Sequence, residues 1–267
     1  MKEKEIAEIV KKRFKIIHKS FQKIIEDFDS DDIHDFRVAI KKLRAFLRLL
    51  DTENEMDHPL ITERLKSFYG YVGVIRNIHL HRQTLYKYMN DYKIEKPAAY
   101  FKVLDEEENY QRTQADAIIK GKYLNEAEKE ILKELPHNLE NSIIKKFVEN
   151  KLKELKEELK NIQNDTAVHN VRKILKDILY LWDHIKDHIK LPSLISKKNE
   201  LKLLTDMLGD FMDKSIQLEF LQPLYLDKVN SNTERNILEK IRDEFHHEKQ
   251  IMLQELSYSF NELQEQL

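Results

Sequence analysis

The chain has 267 residues, carries a net charge of −2 and contains no cysteine. The absence of cysteine excludes disulfides, thiolate catalysis and thiolate-bound metals, and it agrees with a reducing cellular interior. Four glycines and five prolines are few for this length, and charged residues make up 35% of the sequence. This composition is typical of long helices joined by short turns, in a chain long enough for one large or two small cores.

Apolar residues recur at steps of three and four along most of the chain, which is the spacing of one helix face. The predicted helices cover residues 3–28, 33–50, 60–90, 98–119, 125–135 and 138–163, a stretch from Val168 to about Lys190, a stretch around Gly209, and a last one from Thr233. A turn is predicted near Gly121. No segment shows strand alternation, so an all-α fold of eight or nine helices is expected. No segment resembles a membrane span or a signal peptide, which indicates a cytoplasmic protein.

The second predicted helix carries an apolar seam, meaning a line of residues that share one buried side. The seam consists of Ile33, Phe36, Ile40, Leu43, Leu47 and Leu50. The residues that follow its first five members are basic or can become so, and they are His34, Arg37, Lys41, Arg44 and Arg48. One residue turns a helix by about 100°, so these five side chains form a stripe beside the seam. A stripe of about 21 Å suits an extended anion better than a small one.

The same pattern recurs 135 residues later. The second seam consists of Val168, Val171, Leu175, Ile178, Trp182 and Ile185, and its stripe reads His169, Arg172, Lys176, Leu179 and Asp183. Gly209 also follows Gly73 at an offset of 136. These coincidences predict a single domain built from two repeats, about 1–136 and 137–267, of which the first is more strongly basic.

Two further cations are candidates for an inward-facing position. Arg13 lies at the edge of the seam of the first helix, and Arg76 follows Gly70 and Gly73 in the third. Each glycine inside a helix costs about 1 kcal/mol relative to alanine, so close helix packing is predicted there. Since the net charge is −2, the acidic clusters at 105–108 and 154–158 are expected on outer faces, away from the stripes.

The stretches His34-x-x-Arg37-x-x-x-Lys41-x-x-Arg44 and His169-x-x-Arg172-x-x-x-Lys176 resemble the CHAD domain, a histidine-bearing α-helical family. The likeness extends over nearly the whole chain. It implies two up-and-down helical bundles related by a pseudo-twofold axis, with the motif helices around a central basic cavity. It also implies non-enzymatic binding of inorganic polyphosphate, without a cofactor, and adds Tyr180 as the aromatic of the family motif. Leu179 stands where a basic residue is expected, so the first repeat should contribute more to binding.

The stripes, the two further cations and the resemblance together give the predicted polyphosphate-binding residues. These are Arg13, His34, Arg37, Lys41, Arg44, Arg48, Arg76, His169, Arg172, Lys176 and Tyr180. Polyphosphate granules are then an expected location, and no membrane partner is expected.

Other functions use the same positive charge or other clusters. RNA or a nucleotide-type phosphate ligand is the alternative polyanion, although stacking aromatics are not interleaved with the cations. A metal-dependent phosphohydrolase needs clustered carboxylates, which the stripes do not offer. The pairs His184/His188 and Glu244/His247 have helical ligand spacing but lack further ligands, so no metal site is predicted.

Overall fold

A computed structural model describes residues 1–53, 62–119, 123–160, 162, 164–188 and 190–267, and these residues form helices joined by turns. Over these residues no β-strand occurs, and the chain makes one isolated antiparallel bridge, between Lys2 and Asn138. The all-α prediction is therefore confirmed. None of the helices in the described ranges is long and apolar enough to cross a membrane.

The helices are numbered in chain order. They are α1 (Glu3–Asp27), α2 (Ser30–Leu50), α3 (Glu63–Tyr92), α4 (Ala98–Ile119), α5 (Tyr123–Lys133), α6 (Asn141–Lys160), α7 (Asp165–Tyr180), α8 (Trp182–Ile185), α9 (Lys198–Phe220), α10 (Pro223–Leu226) and α11 (Asn232–Gln266). Short 3-10 turns occupy Asp51–Glu53 and Ser193–Ile195. The count exceeds the predicted eight or nine because α8 and α10 are single turns. The predicted turn near Gly121 lies outside the described residues.

The prediction of one continuous helix from Val168 to about Lys190 was wrong. The chain leaves the helical conformation at Leu181, where φ is −99° and ψ is 4°. Leu181 is itself buried, and the single turn of α8 then brings Trp182 and Ile185 into the core. The seam therefore stays buried although the helix that carries it is interrupted.

The second and seventh helices, which carry the motifs, begin at equivalent caps. Asp29 accepts hydrogen bonds from the backbone of Asp31 and Asp32, at 2.8 and 3.1 Å, and Asn164 accepts one from Ala167 at 3.0 Å. These side chains satisfy amide groups that have no partner within the helix. The caps set the same starting register in both motif helices, so each motif histidine lies five residues after its cap.

The helix contacts follow one order in both halves. In the first half α1 packs on α2, α2 on α3 and α3 on α4, and in the second α6 packs on α7, α7 on α9 and α9 on α11. The halves meet where α2 contacts α7 and where α3 contacts α9. A pseudo-twofold axis and the repeat boundary near residue 136 stay predictions.

Both predicted seams are buried over their whole length. The seams of α2 and α7 belong to one large hydrophobic cluster, and a smaller cluster joins α3 and α4 to α9, α10 and α11. Each cluster draws residues from both halves. Burying a large apolar side chain stabilises the fold by about 1.5–3 kcal/mol, so the seams fix the rotation of the motif helices and with it the direction of their cationic stripes.

One expected outer-face residue is buried instead. Glu108 is only 7% exposed, and His79, Arg82 and Arg112 surround its carboxylate. Burial by itself would raise the pKa of Glu108, but hydrogen bonds from these three side chains lower the pKa to about 2. The acidic cluster at 105–108 is thus partly a structural anchor between α3 and α4.

Candidate functional site

A cavity of about 410 Å³, here called the basic pocket, lies where the two motif helices meet beside α3. It is lined by Arg37, Lys41, Arg44, Arg48, Tyr69, His169, Arg172, Lys173, Lys176, Asp177 and Tyr180. Seven of these side chains are arginine or lysine, and one is a carboxylate. The cationic stripes of α2 and α7 therefore face one shared space.

Eight of the predicted binding residues line this pocket, and three do not. Of those three, His34 has an exposed side chain, and Arg13 is half-buried at the edge of α1. Arg76 donates a hydrogen bond to the hydroxyl of Ser30 and lies 3.6 Å from Asp31. Arg76 is thus already engaged at the start of α2, while its buried Nε has no hydrogen-bond partner in the described part of the chain.

Lys41 lies at the centre of the positive charge. Burial, with a smaller contribution from the neighbouring charges of Arg37 and Arg172, lowers the pKa of Lys41 to about 8. Within the described ranges Lys41 makes no hydrogen bond or ion pair. An ammonium group in this position is poorly solvated, and the attraction of Asp213 only partly offsets the repulsion by neighbouring cations, so a bound anion would relieve both costs.

Arg37 is held by α3. Its Nη1 donates to the carbonyl oxygen of Tyr69 at 2.7 Å, and its guanidinium carbon lies 4.2 Å from the centre of the Tyr69 ring. A Cβ at Gly73 would approach that guanidinium carbon to 2.8 Å, which is closer than van der Waals contact allows. The glycine therefore makes room for the arginine.

The second half repeats this arrangement with a looser fit. A Cβ at Gly209 would lie 3.4 Å from Nη2 of Arg172, which is ordinary contact. The close packing predicted at the glycines is therefore the packing of an arginine side chain against the helix that carries the glycine. Gly70 has no such neighbour, because a Cβ added there would meet nothing within 4 Å. The buried Nε of Arg172 has no hydrogen-bond partner among the described residues. A buried unpaired donor is costly, so this group favours an acceptor that the described residues do not supply.

The remaining basic residues of the pocket differ in how far they are neutralised. Arg44 is exposed and has no hydrogen bond or ion pair within the described ranges. Lys176 lies 3.2 Å from Asp206, a carboxylate that remains half-exposed. Arg48 forms a bidentate ion pair with Asp177, through Nε at 3.0 Å and through Nη2. Among the cations predicted to bind, Arg48 is thus the one whose charge a buried carboxylate already balances.

The pKa of both motif histidines is lowered from its ordinary value. Burial lowers the pKa of His169, and Arg172 and Lys173 add to the effect, while partial burial of the ring and the charge of Arg76 lower the pKa of His34. Both imidazoles are accordingly neutral near pH 7. A bound polyanion would favour their protonated form.

The sequence did not single out Tyr69, Lys173 and Asp177, which also line the pocket. Lys173 and Asp177 each follow a stripe residue directly, so a wider stripe on α7 would have included them. No periodicity points to Tyr69, because it belongs to α3 and to neither motif helix.

The pocket offers hydrogen-bond donors and positive charge. No group of three or more His, Asp or Glu side chains suited to a metal ion occurs within the described ranges. Arginine presents a planar fork that fits phosphate oxygens, while lysine acts as a compact charge. The arrangement is therefore suited to binding an anion with many oxygens.

Comparisons with known proteins agree on one family. The family model of the CHAD domain matches residues 8–222, which include both motif helices and both packed glycines. The crystal structure of the CHAD domain from the plant Ricinus communis is similar, with a TM-score of 0.71 and 14% sequence identity over 97% of this chain and 91% of that chain. At that identity the likeness concerns the fold. A search among curated proteins finds no match.

Proposed function

The chain belongs to the CHAD domain family, and from this premise we propose that it binds inorganic polyphosphate in the basic pocket without catalysing a reaction on it. The observation that carries the proposal is the charge of the pocket. The pocket is lined by seven arginine and lysine side chains from two helices and by one carboxylate, and that carboxylate is paired with Arg48. Such an excess of positive charge is costly in an empty pocket and is relieved by a polyanion.

The shape of the pocket favours an extended anion. From Arg37 to Arg44 the cations of α2 that no buried carboxylate balances extend over about 10 Å, at about 1.5 Å per residue. A volume of about 410 Å³ is also far larger than one phosphate group requires. A linear chain of phosphates places an oxygen near each cation in turn, whereas a single phosphate reaches only a few of them.

Affinity in this pocket would come from many modest contacts. A hydrogen bond to a charged group contributes about 1.5–3 kcal/mol when it is well formed. Release of counterions from the phosphate chain adds a salt-dependent term, with a slope of log K against log salt of about −0.7 for each phosphate neutralised, by analogy with single-stranded nucleic acid. The protein should therefore prefer long chains and lose affinity steeply as salt is added.

The test is a titration of long-chain polyphosphate and of triphosphate at several salt concentrations. The wild type is compared with the triple variant Arg37→Ala/Lys41→Ala/Arg44→Ala. We expect the triple variant to lose at least about 100-fold in affinity, since three charged contacts are removed. The control is Lys11→Ala/Lys12→Ala/Lys15→Ala, which removes the same charge from the exposed face of α1.

Four results would contradict the proposal. The first is equal affinity for triphosphate and long chains, and the second is binding that does not depend on salt. The third is tighter binding of single-stranded RNA than of polyphosphate in direct competition, which would assign the pocket to nucleic acid. Release of phosphate in the presence of Mg²⁺ or Mn²⁺ would show that the protein is an enzyme.

A further inference from the structure

We infer that a phosphate chain can leave the basic pocket on only one side: it is stopped at Arg48 and Asp177, and it continues past Tyr180 toward Lys42 and Arg13. This inference rests on the proposed function, because it concerns how the same ligand lies in the same pocket. It makes Asp177 a residue that limits the bound length of the chain, and it adds Lys42 to the binding surface.

The closed side is formed by a buried ion pair. Asp177 is 3% exposed, and both of its carboxylate oxygens accept hydrogen bonds from Arg48. Lys151 lies 3.9 Å from the same carboxylate. A phosphate that displaced Asp177 would leave a buried carboxylate without its arginine, which is strongly unfavourable. Arg48 is therefore a wall of the pocket and not a free phosphate ligand.

A second cavity lies directly behind this wall. It has a volume of about 560 Å³ and shares Arg48, Lys173 and Asp177 with the basic pocket. Its charges balance, because it is lined by four cations and four anions, which are Arg48, Lys151, Lys153, Lys173, Glu154, Glu157, Glu158 and Asp177. A polyanion that passed the wall would meet three glutamates. We call this cavity the mixed pocket.

The open side has the opposite character. Tyr180 lines the basic pocket, and the ammonium group of Lys42 lies 5.8 Å from the centre of its ring. Burial lowers the pKa of Lys42, and Arg13 and Lys198 lower it further, so these cations lie close enough to repel one another. Lys198 is paired with Asp183 at 3.0 Å. Lys42 and Arg13 have no ion-pair partner within the described ranges, and they extend the positive charge beyond Tyr180.

The internal repeat accounts for this difference between the two sides. Subtracting 135 from Asp177 gives Lys42, and adding 135 to Arg48 gives Asp183. The position that holds the buried carboxylate on α7 thus holds a lysine on α2. A duplicated site with identical halves would have two closed sides or two open sides, whereas the basic pocket has one closed side and one open side.

The test compares two double variants that remove the same charge from the two sides. Lys42→Met/Arg13→Met should lower the affinity for long-chain polyphosphate by about fivefold for each residue, the upper range for an exposed ion pair. Triphosphate, which fits within the basic pocket, should bind within about twofold of the wild type. Lys153→Met/Lys156→Met, with Lys153 in the mixed pocket and Lys156 beside it on α6, should leave both affinities unchanged.

The opposite pattern, in which the mixed-pocket variant loses long-chain affinity, would show that the chain passes the ion pair and would overturn the inference. Unchanged long-chain affinity in both variants would also overturn it, because the chain would then end inside the pocket. Failure of the proposed function is distinguishable, since Lys41→Met would then leave triphosphate binding unaffected.

A third variant tests the wall directly. Asp177→Asn removes the charge that holds Arg48, so the arginine becomes available and the salt slope should steepen by about 0.7, one more phosphate neutralised. Thermal denaturation checks that this variant is folded. A folded variant with an unchanged slope would show that Asp177 does not limit binding.

Discussion

Arg37 and Arg172 occupy the same place in the two repeats, yet their contacts differ. Arg37 is fixed between the carbonyl and the ring of Tyr69 and presses against Gly73. Arg172 lies less tightly against Gly209 and keeps a buried Nε without a partner in the described part of the chain. The first half therefore supplies a cation that is already positioned, and the second supplies one whose donor remains unused.

This difference bears on which half contributes more to binding. The sequence gives the first stripe five basic positions and the second three, which favours the first half. However, Arg48 is neutralised by Asp177, and His34 lies outside the pocket lining. The second half in turn adds Lys173. A count of cations along each helix thus understates the second half.

The largest expected effect comes from the two arginines themselves. Arg172→Met should lower polyphosphate affinity by about 10- to 100-fold, because a charged hydrogen bond contributes about 1.5–3 kcal/mol. Arg37→Met should lower the affinity less, because one N–H group of Arg37 already donates to the carbonyl oxygen of Tyr69. Isothermal titration calorimetry of both variants measures the difference.

Stability without ligand provides the control for this pair. Arg37→Met should lower the free energy of unfolding by about 1 kcal/mol through the lost bond to Tyr69. Arg172→Met should lower it less, because the lost attraction to Asp213 is offset by the removal of a buried unpaired donor and of the repulsion of Lys41. Equal losses in both variants would show that the two arginines are equivalent.

The next effect is the loss of affinity in alkaline solution. Because the pKa of Lys41 is about 8 in the free protein and an anion raises it, binding above pH 8 requires uptake of a proton. The affinity should be at its maximum below pH 7, where Lys41 is protonated, and should fall by about tenfold between pH 7 and pH 9. Lys41→Met should bind more weakly and show little of this dependence. An equally steep profile in Lys41→Met would assign the titration to another group.

A smaller effect is expected from the histidines in acid. The pKa of His169 and of His34 is lowered in the free protein, so a bound anion that favours protonation should increase affinity as the pH falls from 7 toward 5. The increase should not exceed about fivefold. His169→Gln should abolish most of it and His34→Gln less, because His169 lines the pocket. The reverse order would place the ligand nearer the start of α2.

The smallest effect concerns the two glycines. Gly209→Ala should stabilise the protein by up to about 1 kcal/mol, because alanine favours a helix and the new methyl group meets Arg172 at contact distance. Gly73→Ala should give no such gain, since the methyl group displaces the guanidinium of Arg37. Thermal denaturation of both variants checks this. Equal gains would show that Arg37 moves aside freely.

The sequence by itself determined the helices, the buried seams and the stripes beside them. A period of three and four residues settles which side of a helix faces the core, because burial of Phe36, Leu43 or Val171 outweighs any single polar contact. Once the seam is fixed, the side of the helix on which Arg37, Lys41 and Arg172 lie is fixed too, because each directly follows a seam residue. The repeat at an offset of 135 then indicated that the chain carries two such stripes, one in each half.

Only the tertiary structure decided which charges meet. The pairing of Arg48 with Asp177, the contact of Arg37 with Tyr69 and the fit of arginines against glycines all join residues of different helices. Periodicity describes one helix at a time and contains no distance between helices. The same limit hid the break at Leu181 and the burial of Glu108, because both depend on what the neighbouring helices offer at those positions.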